Sequence, residues 1–347
     1  MDRRVARNRQ YLANLFAGPF PGHAIIVNHE AVPFPGPGDL ASSDLPVTDC
    51  VDWGMSNYEG QLEVLEVLDD DSVPHVKVST GTQVFAAAFG CPVHMYEDSN
   101  PCALPLVARA EEADRLDVPD LCAPPLDKLF EYGALMRERI GPDVPISVPD
   151  IQSPFDIAAL IWRKEDLYVA VLDEPDAVKR LVDKCHILLE RFLHEWIRQF
   201  PECNLAHCPN AWAPPELGMW LSEDEAGAMS TRMFEEFCIP GLARLSEAFG
   251  GIFIHCCADA DHQYDAFGSL PNLRGVNRVF QASGPGPAIE AFSGQAVLMQ
   301  AWTPEDQIHQ MLDMALPDTR FLFNLDAQPI DQAKRTYERL RERCPRL

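Results

Sequence analysis

Short apolar runs recur along the chain, and longer stretches with helical spacing separate them. Runs of four to seven apolar residues bounded by turn residues are typical of buried strands. The first run, AIIVN, follows a Pro/Gly turn and precedes a loop rich in Pro and Gly. Eight runs predict eight strands, at residues 24–28, 75–79, 145–151, 204–208, 251–257, 275–281, 296–301 and 320–326.

The stretches between these runs predict helices, and several of them begin with Asp, Ser, Thr or Pro, which favour helix N-termini. Repetition of strand and helix is typical of a parallel sheet. The predicted fold is α/β: a single (β/α)₈ TIM-type barrel over residues 1–347, with an N-terminal elaboration in the less regular segment 80–140. The clearest predicted helices cover residues 3–16, 175–200, 222–249, 304–315 and 330–343.

Other α/β folds and other classes of protein fit the chain less well. No Gly-rich phosphate fingerprint follows the first strand, which disfavours a Rossmann domain. The formal net charge of −25 opposes nucleic-acid binding. We find no apolar run of membrane-spanning length and no signal-peptide pattern, so we expect no membrane association and a cytoplasmic location. The eleven cysteines lack a framework spacing and are expected to be reduced thiols.

The predicted strand GIFIHCC, residues 251–257, ends in residues that can carry chemistry. In a barrel, the C-terminal ends of the strands form the catalytic mouth. Side chains alternate along a strand, so His255 and Cys257 share one face while Cys256 points toward the helices. An imidazole and a thiolate on one face suit Zn²⁺. The alternative is that His255 only hydrogen-bonds a substrate and both cysteines are buried apolar residues.

Three segments resemble the uroporphyrinogen decarboxylase superfamily. The stretch FEEFCIPGLARLSEAFGGIFIHCCADADHQYDAFGSLPNLRGVN, residues 234–277, is similar to the family's Pro-containing helix, its His-x-Cys strand and the Leu-Pro and Gly-Val-Asn pattern that follows. FAAAFGCPVHMYEDSNPCALPLV, residues 85–107, resembles the Phe-Gly segment. DIQSPFDIAALIWRKEDLYVAVLDEPDAVKRLVD, residues 150–183, resembles the Gln-Ser-Pro segment and its helix.

The resemblance implies one of two activities. In true decarboxylases an Arg-rich segment follows the first strand and holds the substrate carboxylates, but the corresponding stretch here, IIVNHEAVPFPGPGD, has no arginine. In the methylcobamide:thiol methyltransferases a His-x-Cys pair and a later Cys hold zinc, and His255 and Cys257 match the pair. Asp326 stands near the place of the third ligand, so Asp326 is the candidate there.

The leading hypothesis is therefore a zinc-dependent methyltransferase that moves a methyl group between a corrinoid, such as methylcobalamin on a small corrinoid protein, and a small-molecule thiol or similar acceptor. His29, Asp224 and His255 are the candidate catalytic residues. Dimers are common in the family, which makes a homodimer the expected assembly. Two alternatives stay open: a metal-independent decarboxylase or lyase acting through the same three residues on a non-porphyrin substrate, and a binding subunit without activity.

Further polar and aromatic residues stand where predicted strands end. Asn28 and Glu30 occupy the place of the decarboxylase arginines and are candidate cofactor or substrate contacts. Trp212, like Trp220 and Trp302, could wall an apolar ligand such as a corrinoid. His207 and Cys208 end another strand, and at most one of them is expected to line the pocket. Ser222 is predicted to cap a helix, with Asp224 in its first turn.

Overall fold

The structure is a computed structural model that describes residues 3–36, 38–97, 99–280 and 283–346. Gln281, the last residue of one predicted strand, lies outside the described residues. Within the described ranges, no helix combines the length and apolar character that crossing a membrane requires.

The strands are short and the helices long, as the repeated pattern predicts. The ten strands of the described residues are β1 (Ala24–Val27), β2 (Val93–His94), β3 (Cys102–Ala103), β4 (Ile146–Ser147), β5 (Cys203–Asn204), β6 (Met219–Ser222), β7 (Ile252–Cys256), β8 (Leu273–Arg278), β9 (Val297–Ala301) and β10 (Arg320–Leu325). The α-helices are α1 (Arg3–Ala17), α2 (Val47–Leu68), α3 (Val84–Ala88), α4 (Ala110–Asp114), α5 (Leu126–Ile140), α6 (Pro154–Ile161), α7 (Lys164–Asp173), α8 (Pro175–Gln199), α9 (Thr231–Phe237), α10 (Ile239–Phe249), α11 (Tyr264–Gly268), α12 (Gly286–Phe292), α13 (Glu305–Met314) and α14 (Ile330–Arg343).

Parallel strands form the wall of a (β/α)₈ barrel, the predicted fold. Six of them lie in the order β1-β10-β9-β8-β7-β6. The strands β4 and β5 form a second parallel pair. Single parallel bridges, Gln152 with Ser222 and Val76 with Ile146, continue the wall toward the extended segment 73–79. The predicted elaboration over residues 80–140 contains the β2/β3 antiparallel hairpin together with α3, α4 and α5.

Two buried carboxylates close the wall beside β1, where a ladder between strands would otherwise lie. The Ile25 N–H donates to Asp71 Oδ2 at 2.8 Å, and the Val27 N–H donates to Asp70 Oδ2 at 2.7 Å. The Asp71 N–H in turn donates to the Ile25 carbonyl at 3.0 Å. Arg341 of α14 pairs with Asp71 from outside. Side chains therefore satisfy main-chain groups that another strand would satisfy elsewhere in a barrel.

Side-chain alternation divides the buried residues into an inner and an outer core. Phe253 of β7 packs inside the barrel with Trp220, which stacks on it at a centroid distance of 4.4 Å. The neighbouring Ile254 belongs to the outer core between strands and helices. Helix α1 closes the N-terminal end, where Phe16 contacts Phe253 edge-to-face at 5.1 Å. The interior is thus a packed core rather than a pore, which is the rule for this fold.

One predicted helix begins later than the sequence indicates. Residue 222 ends the strand β6, which was not among the predicted strands. Helix α9 begins only at Thr231, and the Ser230 side chain accepts the Met233 N–H as its N-cap. The prediction that Ser222 caps the helix is wrong, because its hydroxyl lies at the strand end, 3.2 Å from His207 Nε2.

Candidate metal centre and cavity

Strand β7 carries His255 to the mouth of the barrel. Phe253 faces the inner core, and His255, two residues farther along, lies on the same side and is 6% exposed. Cys256 belongs to the outer core, as the alternation predicts. Cys257 follows immediately after the strand and is exposed to solvent. The end of β7 therefore presents an imidazole and a thiol toward the open end of the barrel.

Asn277 of the neighbouring strand β8 fixes the tautomer of His255. The Asn277 Nδ2 donates to the Met299 carbonyl at 2.6 Å, so its Oδ1 is the atom that faces His255 Nδ1, at 2.5 Å. Because an amide oxygen only accepts hydrogen bonds, Nδ1 must carry the proton. The Nε2 atom of the neutral ring then keeps its lone pair, and this atom lies 2.9 Å from Cys257 Sγ. A ring fixed in this way is characteristic of metal-ligating histidines.

The carboxylate of Asp224 lies against the same two residues. Asp224 Oδ1 accepts the Cys257 N–H at 2.6 Å, and Oδ2 is the second carboxylate oxygen. Burial and the Asp224 charge raise the pKa of the Cys257 thiol to about 11. The ligand atoms of Asp224, His255 and Cys257 all lie within 4.8 Å of one another. These three side chains form what we call the Asp-His-Cys cluster.

A buried carboxyl group positions the turn that carries Asp224. Asp156 Oδ2 accepts the Asp224 N–H at 2.7 Å, and its Oδ1 accepts the Glu225 N–H at 3.0 Å. The Glu223 N–H donates to the His255 carbonyl at 2.8 Å, which ties this turn to β7. Burial raises the pKa of Asp156 and of Glu223; the Asp224 charge raises the pKa of Asp156 further, and the Asp156 charge raises the pKa of Glu223 further. At neutral pH the pair therefore retains a proton, which permits two acids to remain side by side.

The predicted third ligand lies elsewhere. Asp326 is exposed and lines a separate surface cavity together with Glu305, Arg335 and Arg339. It is not part of the group that His255 and Cys257 form with Asp224 in the described part of the chain. The carboxylate that lies beside His255 and Cys257 is that of Asp224, which was predicted from the sequence as a catalytic residue and not as a metal ligand.

A cavity of about 330 Å³ opens beside the cluster, on the side of the extended segment 75–79. One of its walls is apolar and the other carries hydroxyl, imidazole, amide and charged groups. This volume is near the lower limit of roughly 300–1,000 Å³ that is common for small-molecule sites. The lining residues are Ala31, Val32, Phe34, Trp53, Asn57, His75, Lys77, Val78, Ser79, Thr80, Ser147, Val148, Asp150, Ala206, His207, Cys208 and Asn210.

Asp150 stands between the cavity and the cluster. Burial raises the pKa of its carboxyl group to about 6, and the charges of His255 and Asp224 also act on this pKa. Gln152 Nε2 donates to Asp150 Oδ1 at 2.7 Å, and His207 Nε2 lies 3.5 Å from the same oxygen. Burial lowers the pKa of His207 to about 3, so this ring is neutral at physiological pH. Asp150 can consequently accept or release a proton near neutral pH, whereas His207 cannot.

The residues predicted after the first strand have different environments. Asn28 Nδ2 donates to Asn324 Oδ1 at 2.7 Å, and its Oδ1 accepts from Asn210 Nδ2 at 2.9 Å, so both ends of this amide are engaged within the protein. His29 is buried and lines a separate small cavity, with Nε2 3.2 Å from Asn57 Oδ1, and burial lowers its pKa. Glu30 is exposed.

Of the three tryptophans considered as ligand contacts, two lie in the inner core and one lies at the rim of the barrel mouth. Trp212 is 6% exposed and packs in the inner core, with the Arg9 guanidinium 5.3 Å from its ring centroid. Trp220 is also an inner-core residue. Trp302 is 56% exposed at the end of β9, and its ring lies edge-on to His255 with 6.2 Å between the centroids. Trp302 is therefore the tryptophan of this group that could meet an external ligand beside the cluster.

Three residues of this region were not predicted as site residues from the sequence: Lys77, Asp150 and Asn277. Each stands in or next to an apolar run that was recognised as a strand. The overlooked signal is their position: a polar side chain that alternates with apolar neighbours, close to the C-terminal end of a barrel strand, points into the mouth.

The fold and the cluster together define a (β/α)₈ barrel with a candidate metal centre at the C-terminal end of its strands. Residues 61–213 match the model of the uroporphyrinogen decarboxylase (URO-D) family. This match confirms the resemblance to that superfamily which the sequence motifs indicate. The matched segment includes most of the cavity lining and ends before the Asp-His-Cys cluster. Comparison with curated proteins finds no match.

A solved structure shows the same architecture. A methyltransferase from Methanosarcina mazei is similar with a TM-score of 0.68 and 14% sequence identity, over 96% of this chain and 98% of that one. A B12-independent methionine synthase from Shewanella sp. W3-18-1 has a TM-score of 0.47 and 11% identity, over 93% of this chain and 98% of that one. The first similarity establishes a shared fold, and the second is too low to support an argument.

Proposed function

We propose that this protein is a zinc-dependent methyltransferase, which moves a methyl group between a corrinoid carried by a partner protein and a thiol or similar acceptor. The observation that supports the proposal most directly is the convergence of Asp224, His255 and Cys257 at the barrel mouth. Oxygen, nitrogen and sulfur are all ligands that Zn²⁺ accepts, and catalytic zinc sites commonly have three protein ligands and one open position.

The donor set also fits the ion in charge and in protonation. A neutral His255, a Cys257 thiolate and an Asp224 carboxylate together carry two negative charges, which balance Zn²⁺. The hydrogen bond from His255 Nδ1 to Asn277 leaves Nε2 free to bind, and Asp224 Oδ1 holds the Cys257 main chain. Zinc bound here would lower the pKa of an acceptor thiol at the open position, so that the thiolate forms near neutral pH.

The chain's own residues would orient both reactants. Cys257 and Trp302 are exposed at the rim, so a methyl group carried by a second protein can approach the cluster from solvent. The acceptor would enter through the cavity, where Asp150 borders the cluster and can hold or take up a proton. The fold shared with a methyltransferase from Methanosarcina mazei supports this type of reaction.

The lining of the cavity argues against a porphyrinogen substrate. Among its described lining residues none is an arginine, and Lys77 is the one lysine. A tetrapyrrole with many carboxylates needs several charge partners, and bidentate guanidinium groups supply them best.

The test is the zinc content of the purified protein, measured by mass spectrometry and by competition with a chromogenic chelator. We expect about one zinc per wild-type chain and much weaker binding in His255→Ala, Cys257→Ser and Asp224→Asn, by about 100-fold or more, because each variant loses one of three ligands. Methyl transfer from methylcobalamin to a thiol should decline in parallel.

Asp326→Asn is the matched control, since it makes the same change in the other candidate carboxylate. We expect it to bind zinc like the wild type. Weaker binding in Asp326→Asn together with unchanged binding in Asp224→Asn would make Asp326 the ligand. A correctly folded wild-type protein that takes up no zinc would overturn the zinc-dependent mechanism altogether.

A further inference from the structure

Lys77 is a cation without a partner in the large cavity. On the extended segment 75–79, Val76 and Val78 belong to the outer core, while Lys77 alternates with them and lines the cavity. In the described part of the chain the Lys77 ammonium forms neither a hydrogen bond nor an ion pair. Desolvation lowers the pKa of Lys77 to about 8, so it remains mostly protonated at neutral pH. A half-buried charge without a counterion costs free energy, which a bound anion would offset.

The hydroxyl groups around Lys77 are arranged as donors. Ser147 Oγ accepts the Val78 N–H at 3.1 Å, and Thr80 Oγ1 accepts the Asp150 N–H at 2.8 Å. Neither hydroxyl donates a hydrogen bond in the described residues, so each hydroxyl proton can point at a ligand. An ammonium group and hydroxyl donors that line the same cavity are suitable partners for a carboxylate.

Part of the cavity lining is aromatic. The rings of Phe34 and Trp53 pack edge-to-face with 5.5 Å between centroids, and both line the cavity. Helix α2 holds this wall in place, because Trp53 Nε1 donates to the Val32 carbonyl at 2.8 Å and Asn57 Oδ1 accepts the Val32 N–H at 3.2 Å. Val148 adds an aliphatic surface. Such walls favour a flat apolar ring.

The charges in the cavity give the ligand a direction. Asp150 supplies the carboxyl group of the cavity lining. This group lies near the Asp-His-Cys cluster and is not paired with Lys77. An anionic group is therefore attracted by the Lys77 ammonium and repelled by the ionised Asp150 carboxylate. The apolar part of the same ligand would extend along Phe34 and Trp53.

We propose that this cavity is a binding site for an aromatic carboxylate, with the carboxylate on Lys77, Ser147 and Thr80 and the ring against Phe34 and Trp53. The Asp-His-Cys cluster does not specify this class of ligand. Binding of the ligand in the cavity does not depend on zinc. Binding can therefore be measured with chelator present, so that failure of the zinc mechanism and failure of this site give different results.

The experiment compares three probes, benzoate, benzyl alcohol and acetate, by calorimetry and ligand-observed NMR on the full chain in EDTA. Benzoate should bind the wild type with a dissociation constant of about 1 mM or below. Benzyl alcohol, which keeps the ring without the charge, and acetate, which keeps the charge without the ring, should each bind about tenfold or more weakly.

Variants assign the contacts. Lys77→Met should weaken benzoate binding by about 10- to 100-fold, the range for a lost charge-assisted hydrogen bond, and should leave benzyl alcohol unaffected. Lys77→Arg should retain most of the affinity. Phe34→Ala should weaken benzoate by about 3- to 10-fold and acetate not at all. Lys334→Met removes an exposed lysine of α14 and serves as the matched control, with wild-type affinity expected.

The proposal would be overturned by either of two results. One is a wild-type protein that does not bind benzoate. The other is a Lys77→Met variant that binds benzoate as tightly as the wild type does. Acetate binding as tight as benzoate binding would remove the aromatic part of the proposal and overturn the stated ligand class. Circular dichroism of Lys77→Met confirms its fold, which we expect to be intact because the variant removes an unpaired charge.

Discussion

The two ends of the barrel interior are built from the same strands but differ in their side chains, which are apolar at the N-terminal end and polar at the C-terminal end. At the N-terminal end Phe16, Trp220 and Phe253 interlock as an aromatic core beneath α1. At the C-terminal end His255 and Asn277 form a hydrogen-bonded polar pair. Phe253 and His255 are only two residues apart on β7. The N-terminal (lower) end is therefore a packed apolar core, and the C-terminal (upper) end presents its polar pair on strands anchored in that core.

The largest expected effect comes from removing part of the lower core. Phe253→Ala should reduce the free energy of unfolding by about 3–5 kcal/mol, because a fully buried aromatic ring leaves a cavity. Chemical denaturation measures this change. Phe20→Ala, at a half-buried position of the same end, should cost clearly less. Equal losses in the two variants would show that the lower core is not the source of stability.

A smaller effect is expected in the upper region, and on metal affinity rather than on folding. Asn277→Ala leaves all three proposed ligands in place but removes the acceptor of the His255 Nδ1 proton. Zinc affinity should fall by about 10- to 100-fold, as is usual when the partner of a metal-bound histidine is lost. Chelator competition measures the affinity. Unchanged affinity would show that Asn277 does not select the tautomer.

The smallest effect concerns a titratable group at the lower end. His23 Nδ1 accepts the Phe321 N–H at 3.2 Å, and burial lowers the pKa of His23 to about 4. The unfolded chain binds this proton near pH 6.5 and the folded one near 4, so stability is complete above about pH 6.5 and declines toward pH 4.

His23→Asn places an amide oxygen near the same N–H and does not titrate. Between pH 7 and pH 4 it should lose about 1–2 kcal/mol less stability than the wild type, after allowance for partial solvent exposure. Thermal unfolding across this pH range measures the difference. Parallel pH curves for the two proteins would show that other groups determine acid stability.

The fold was largely predictable because the strands that build the lower core consist mostly of apolar residues. β7, β9 and β10 coincide closely with predicted runs, and α14 has the predicted bounds. The four-residue strand β6 was missed because the acidic residues after Ser222 have the pattern of a helix N-terminus. The 22-residue helix α2 was missed because its buried face includes Gly54, Asn57 and Gln61, which weakens the amphipathic pattern.

The site was only partly predictable, because its geometry depends on contacts between distant segments. Period-two alternation correctly separates His255 and Cys257 from Cys256. The approach of Asp224 to this pair is set by the hydrogen bond from its main-chain N–H to the side chain of Asp156, which belongs to helix α6. No spacing in the sequence records a contact of this kind, and the resemblance directed attention to Asp326 instead.

The hydrogen bonds of Asp70 and Asp71 to the main chain of β1 determine how these two segments are aligned. A regular ladder repeats along a strand and permits a slip by two residues without loss of main-chain pairing. Asp70 and Asp71 permit no slip, because only one alignment places their oxygens opposite the Val27 and Ile25 N–H groups. The junction therefore stabilises one alignment of β1 with the segment that carries Asp70 and Asp71, and any other alignment leaves these N–H groups and carboxylates unpaired.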